Sequence, residues 1–184
     1  PQAPEIWILG SSDYGAQLAA HFGLPYAFAY FFTDGQGAEQ ALELYRSLYR
    51  PSERHPQPQA TLCIWAMAAA SDAEAAHLAL SRDRWRIDRQ RGRLGPLQAP
   101  AVIAERGFDA AEEAMLAPMR SKAFVGSAAT VGAKMRVLAT KFALDEIVVN
   151  CWAHEPTARR RSYALLADEF GLASIAAPAK ATTL

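Results

Sequence analysis

Glu5-Ile6-Trp7-Ile8-Leu9-Gly10-Ser11-Ser12-Asp13-Tyr14-Gly15 decides how the rest of the chain is read. Residues 5–9 form a short, apolar, β-rich run that predicts a strand. The run breaks at Gly10-Ser11-Ser12-Asp13, a turn whose polar side chains suit a helix start. A helix is predicted over 14–22, and Gly23 with Pro25 ends it. A strand that passes through a tight turn into a helix opens a β-α-β unit, so the next strand should lie parallel to the first.

The pattern repeats downstream. Residues 26–32, Tyr-Ala-Phe-Ala-Tyr-Phe-Phe, are apolar on both faces, as in a parallel strand covered by helices. Residues 38–49 place Ala41, Leu42, Leu44, Tyr45 and Leu48 at helical spacing. Three prolines mark 51–59 as a connector. A third strand is predicted over 60–68, and Ser71-Asp72 opens a helix over 73–86. Residues 89–107, rich in Arg, Gly and Pro, read as irregular. A short helix is expected over 110–119. Val125-Gly126-Ser127 reads as a turn into a helix over 130–142. The fourth strand is Glu146-Ile147-Val148-Val149-Asn150-Cys151-Trp152, and the last helix spans 156–170 with Pro at its first turn. The order is β-α-β-α-β-α, an irregular region with two helices, then β-α. Such alternation predicts parallel strands with helices on the faces.

Composition narrows the classes. With 51% hydrophobic and 21% charged residues, the chain has enough apolar material for a packed core, which excludes disorder over most of its length. Lys+Arg and Asp+Glu both number 19, so no overall charge draws it to nucleic acid or an anionic membrane. Cys63 and Cys151 lie in apolar runs outside any CxxC motif. They read as reduced thiols of a cytoplasmic protein, with a disulfide between them left open. The residues read as holding no signal peptide and no bilayer-length apolar run, so neither export nor membrane insertion is expected. The sequence opens Pro1-Gln2-Ala3-Pro4 without Met, which suits a processed domain or the second half of a longer protein. His21, His55, His77 and His154 lack metal-ligand spacing, so no metal is expected. Asp109, Glu112 and Glu113 read as an acidic first turn of a helix. Arg82, Arg84, Arg86, Arg89, Arg91 and Arg93, with Trp85 among them, read as a solvated helix face carrying Asp83 and Asp88; a nucleic-acid arm is the sharper alternative.

Four parallel strands make half of a (β/α)8 barrel, whose full form takes about 250 residues. Alone, the half would expose two long, uncharged edges, residues 5–9 and 146–152, and such edges recruit partners. The alternatives are an open four-stranded α/β domain or a half-barrel completed by an N-terminal half or a second copy.

The segment Trp7-Ile8-Leu9-Gly10-Ser11-Ser12-Asp13-Tyr14-Gly15-Ala16, followed by Ala19-Ala20-His21-Phe22-Gly23-Leu24-Pro25, resembles the fifth β/α unit of bacterial-luciferase-like, flavin-dependent monooxygenases. Tyr26-Ala27-Phe28-Ala29 is similar to the sixth strand. Val125-Gly126-Ser127, Thr130-Val131 and Asp145-Glu146-Ile147 resemble the turn, helix and eighth strand. Arg161-Ser162-Tyr163-Ala164-Leu165-Leu166-Ala167 resembles the last helix. The resemblance implies an α/β fold, the second half of a TIM barrel (units five to eight) over residues 1–172, with the N-terminal half absent and a flexible tail at 173–184.

Gly10, Ser11, Ser12 and Gly15 stand where a strand gives way to a helix. Unpaired N–H groups and a partial positive charge there bind phosphate, although a Ser-Ser helix start also serves simply as a cap. The resemblance implies that the phosphate belongs to FMN, with the deazaflavin F420 as the alternative, and that the reaction is monooxygenation of a small organic substrate. It names no catalytic acid or base here. Asn150, Trp152 and His154 would sit near the active face, and one of the arginines at 82–93 could reach a flavin phosphate or a substrate. Tyr26, Phe28, Tyr30, Phe31 and Phe32 could stack on a flavin or simply fill the core. The expected partners are flavin, a small organic substrate, and a second copy or an N-terminal half-barrel, with neither nucleic acid nor membrane. The competing function is a non-catalytic flavin-binding or dimerising module.

Overall fold

The computed structural model describes residues 4–172. The tail expected at 173–184 lies outside the described residues. Five parallel strands form one sheet: β1 (Ile8–Gly10), β2 (Tyr26–Phe28), β3 (Ala60–Ala69), β4 (Phe124–Ser127) and β5 (Ile147–Asn150). Between and after them run α1 (Asp13–Phe22), α2 (Tyr30–Thr33), α3 (Ala38–Leu48), α4 (Asp72–Gln90), α5 (Pro100–Arg106), α6 (Ala110–Ser121), α7 (Ala128–Phe142) and α8 (Pro156–Glu169).

β3 is the spine of the sheet. Its Ala60, Thr61 and Leu62 align with Tyr26, Ala27 and Phe28 of β2. Residues 62–65 pair with all of β5, and residues 66–69 pair with β4. β1 pairs only with β2 among the described residues, so the outer edges of β1 and β5 are open. Both edge strands are shorter than the sequence pattern suggests, three and four residues. Short edges limit the template they offer to other chains.

Side chains alternate across the strands. Tyr26, Phe28, Leu62, Ile64, Ala66 and Ala68 are buried in one cluster with Ala16, Ala19 and Ala20 of α1, Ala41, Leu42 and Tyr45 of α3, and Val131, Met135 and Leu138 of α7. Each large side chain buried there contributes roughly 1.5–3 kcal/mol. The small residues of α1 and the 38, 41, 42, 45 spacing of α3 are what let those helices lie against the sheet. The opposite face has two halves. Towards the carboxyl ends, Trp65, Met67 and Ala69 are covered by Ala75 and Ala79 of α4. Towards the amino ends it is open: Leu9 is 58% exposed and Val148 41%. In a closed barrel that face points inward.

Three expectations need correction. Tyr30, Phe31 and Phe32 do not extend the second strand. Ala29 N–H bonds the Gly10 carbonyl at 2.7 Å, and the chain then turns into α2, which ends on Asp34 at φ 49°. Val125-Gly126-Ser127 is part of a strand, because β3 is ten residues long and its far end offers a free ladder. Ser127 still starts the following helix, accepting from Thr130 N–H. Finally, the irregular region contains α5, with Pro100 at its first turn.

The arginine-rich helix also differs from a solvated face. Arg82, Asp83 and Arg84 are buried. Arg84 bonds Asp88 and Glu112, Arg86 makes a two-pronged contact with Asp34, Arg91 bonds Glu112 and Arg93 bonds Asp88. Glu112 is therefore more than a first-turn acid. It completes a capping box with Asp109 and clamps two arginines. Cys63 is half-buried, Cys151 is buried, and both are free thiols.

Candidate functional site

Gly10 ends β1 and Ser12 is the cap residue of α1, so the turn sits on the carboxyl side of the sheet, where β/α barrels place their active sites. A Cβ built on Gly10 would lie 3.4 Å from the Cα of Gly15, and one built on Gly15 would lie 3.4 Å from the Cα of Gly10. The two glycines thus bring the helix start onto the strand end, with the Tyr26 ring as their common floor. Tyr26 donates to the Ser12 carbonyl at 3.4 Å. Burial, with the Asp13 charge adding to it, pushes the Tyr26 phenol up to about 12, so it stays a donor at neutral pH.

Ser12 makes no capping hydrogen bond with its side chain, whereas the cap serines Ser71 and Ser127 both do. Ser11 and Ser12 are exposed, and neither hydroxyl is bonded among the described residues. The hydroxyls and the first-turn N–H groups of α1 are the donor set that a phosphate dianion requires. Asp13 carries the one acidic side chain of this turn, and Gln40 Nε2 donates to its Oδ2 at 2.6 Å. The residues present therefore fit a phosphate, with Gly10 and Gly15 providing the close packing rather than the contacts.

The other residues singled out from sequence fall elsewhere. Tyr26 and Phe28 face the helix layer rather than the open side. Phe31 packs against the cluster under α4, and Phe32 is exposed. His154 Nδ1 lies 2.8 Å from the Leu97 carbonyl, tying the segment after α4 to the segment after β5. Trp152 stacks edge-on against Trp85, with ring centroids 5.0 Å apart. His21 sits in the last turn of α1. Among the described residues no three metal-ligating side chains gather, and no helix is long and apolar enough to cross a membrane.

A second feature lies on the same side. A cavity of about 680 Å³ opens between Trp65 of β3, α4, α5, α6 and β4. Sequence reasoning missed it because its walls come from elements far apart in the chain, from Trp65 to Thr130.

Parallel β/α units with an open inner face and a phosphate-competent turn on the carboxyl side define one half of a TIM-type barrel. The chain belongs to the luciferase-like monooxygenase family, whose model matches residues 1–145. It is 36% identical over 163 residues to a luciferase-like monooxygenase of Escherichia coli (strain K12), covering 89% of this chain and 48% of the relative. The crystal structure of apo-MsnO8 superposes with a TM-score of 0.83 at 31% identity, over 94% of this chain and 53% of that one. The oxygenating constituent of 3,6-diketocamphane monooxygenase, a type II Baeyer-Villiger enzyme in complex with FMN, shares the fold at a TM-score of 0.60 and 20% identity, over 91% of this chain and 48% of that one. The chain spans about half the length of the curated relatives it matches.

Proposed function

We propose that this chain is the C-terminal half of a flavin-dependent monooxygenase acting on a small organic substrate, and that it holds the phosphate of FMN, rather than F420, at Gly10, Ser11, Ser12 and Gly15. The observation that carries the reading is the pair of uncommitted serine hydroxyls at the start of α1. Bound there, FMN would supply the redox chemistry. This half contributes positioning: Ser11 and Ser12 donate to the phosphate, and the Gly10–Gly15 contact fixes where the helix start stands. The open inner face needs further β/α units to enclose a flavin ring and exclude water. FMN titration followed by flavin fluorescence tests the assignment. Saturable binding is expected, at least about tenfold weaker in the Ser11→Ala, Ser12→Ala double variant, since each bond to a charged group contributes about 1.5–3 kcal/mol. Equal affinity in the double variant, or no binding to the chain, overturns it.

The open face also favours a second reading, in which two copies complete one another as a non-catalytic module. Light scattering should then give twice the 20.0 kDa chain mass. A stable monomer at micromolar concentration rules this out.

A further inference from the structure

The end of α4, the segment after it and α5 enclose a hollow of about 560 Å³. Its wall carries four guanidiniums, those of Arg84, Arg91, Arg93 and Arg106, and one carboxylate, that of Asp88. Trp85 also lines it and meets Trp152, which lies just past the carboxyl end of β5. The hollow is therefore on the carboxyl side of the sheet.

The charges here do not cancel. Arg84 is 1% exposed and is saturated: Asp88 takes two of its bonds and Glu112 a third. The same two carboxylates serve the outer arginines. Arg91 donates one bond to Glu112, and Arg93 donates one to Asp88. Arg106 makes no hydrogen bond or ion pair among the described residues. The other acids of the first turn of α6 are engaged elsewhere: Asp109 accepts from the Glu112 N–H and Glu113 from Arg120. Glu105, beside Arg106 in α5, is not part of the wall. Four guanidiniums against the two carboxylates bonded to them leave two positive charges.

The unused donors are accessible. The Arg91 side chain is 36% exposed, that of Arg93 58%, and Arg106 is exposed as well. The segment that carries Arg91 and Arg93 is nonetheless fastened. Arg93 N–H bonds the Asp88 carbonyl at 2.7 Å, Ser81 Oγ donates to the Gln98 carbonyl at 2.7 Å, and His154 Nδ1 lies 2.8 Å from the Leu97 carbonyl. Arginines on a fastened segment lose less freedom when a ligand arrives. Two unmatched charges with open N–H groups suit a phosphate monoester, which carries about −1.5 to −2 charges near pH 7 and accepts through three oxygens. Trp85, Leu94 and Pro96 give the hollow an apolar side that a bare phosphate would leave unused.

We propose that this hollow binds a small phosphate monoester with an apolar body, the phosphate on Arg91, Arg93 and Arg106 and the body against Trp85 and Leu94. The site is separate from the turn at Gly10–Asp13 and does not rest on the flavin assignment.

Titration calorimetry with phenyl phosphate tests this, using the 184-residue chain with Ser11→Ala and Ser12→Ala so that the turn contributes little. Inorganic phosphate and phenol serve as the two halves of the probe. Phenyl phosphate should bind saturably, at least about tenfold more tightly than either half. Adding Arg93→Met and Arg106→Met, both at exposed positions, should weaken it at least about tenfold, and lysine at the two positions should restore part of the loss. With Ser11 and Ser12 intact, the same arginine variant should bind FMN as the parent does. No saturable binding of phenyl phosphate overturns the proposal, as does equal binding after the arginine changes. Inorganic phosphate binding as tightly as phenyl phosphate would overturn the apolar body. Loss of FMN in the arginine variant would move the flavin phosphate here and overturn a separate site. Displacement of phenyl phosphate by a short oligothymidylate at equal phosphate concentration would make this segment a nucleic-acid arm instead.

Discussion

Glu112→Ala is expected to destabilise the fold by about 3–5 kcal/mol, the usual loss when one partner of a buried ion pair is removed. Glu112 is 4% exposed and Arg84 1%. The carboxylate accepts from Arg84 at 2.9 Å and from Arg91 at 2.6 Å, and it closes the capping box of α6. Alanine leaves Arg84 buried with Asp88 as its remaining acidic partner. For a chain of this length the melting temperature should fall by roughly 10 °C. An Arg84→Met, Glu112→Met double variant should recover much of the loss, because no charge is then stranded. A loss below about 1 kcal/mol in Glu112→Ala would show that the clamp is not the prop it looks like.

The same cluster sets a pH dependence. Burial pushes the Glu112 carboxyl up, but the bonds from Arg84 and Arg91 and from the Asp109 N–H outweigh it and hold the group below its ordinary 4.5. Asp88 is lowered from 3.8 in the same way by Arg93 and Arg84, against its own desolvation. A carboxyl with a depressed folded value stabilises the fold fully above its ordinary value and loses that contribution as pH falls through the folded one. Asp83 works in the opposite sense, since burial raises it despite Arg120. The Glu112 share of stability should therefore start to fall below pH 4.5 and be gone only below the lower folded value, and acid denaturation curves of Glu112→Gln and parent should converge progressively over that range.

Gly23→Ala should be nearly as damaging, at about 3 kcal/mol. Gly23 closes α1 in the left-handed region, at φ 60° and ψ 39°. A side chain there costs roughly 1–2 kcal/mol in backbone strain alone. The new Cβ would also stand 2.5 Å from the Arg50 carbonyl oxygen and 2.9 Å from Ser52 Cβ. Neither neighbour moves easily, because Arg50 N–H is tied to the Ala20 carbonyl and Ser52 Oγ donates to Gly23 itself. Gly92 is the control: its φ is 71°, but a Cβ there meets nothing within 4 Å. Gly92→Ala should show the strain without the clash. Equal losses at the two positions, measured by urea denaturation, would refute the steric part of the argument.

The β/α alternation was legible because each unit carries its own signals. Gly23 and Pro25 end the first helix, and the 38, 41, 42, 45 spacing marks the face of α3 that meets the sheet. The strand-to-helix turn at Gly10–Asp13, proposed above as the phosphate site, was legible too, since a strand, a Gly-Ser-Ser and a helix follow one another directly. What the local pattern concealed depends on distant partners. β4 is a strand only because the far end of β3 pairs with it. Residues 30–32 leave the sheet because α2 turns back on Ala29. Arg82 and Arg84 look like surface residues in a run of alternating charges. Arg84 is buried against Glu112 of α6 and Arg82 against Trp65 of β3, partners distant in sequence that the charge pattern along α4 does not announce. The Arg82–Trp65 pair joins residues that share no motif, so no scan along the chain would have placed them together.

The division of β3 between two partners has a consequence for how the molecule opens. β5 holds residues 62–65 and β4 holds 66–69, so neither pairing overlaps the other. The stretch from α4 to β4 joins the sheet through the distal half of one strand, and side-chain contacts such as Arg86 with Asp34 and Trp85 with Trp152 tie it to the rest, while the barrel register is kept by the proximal half. The β4 ladder can therefore open without unzipping the β5 ladder. Changes of length in residues 70–127 are thus expected to be borne by the distal ladder, while the buried Arg84–Glu112 pair limits changes of composition there.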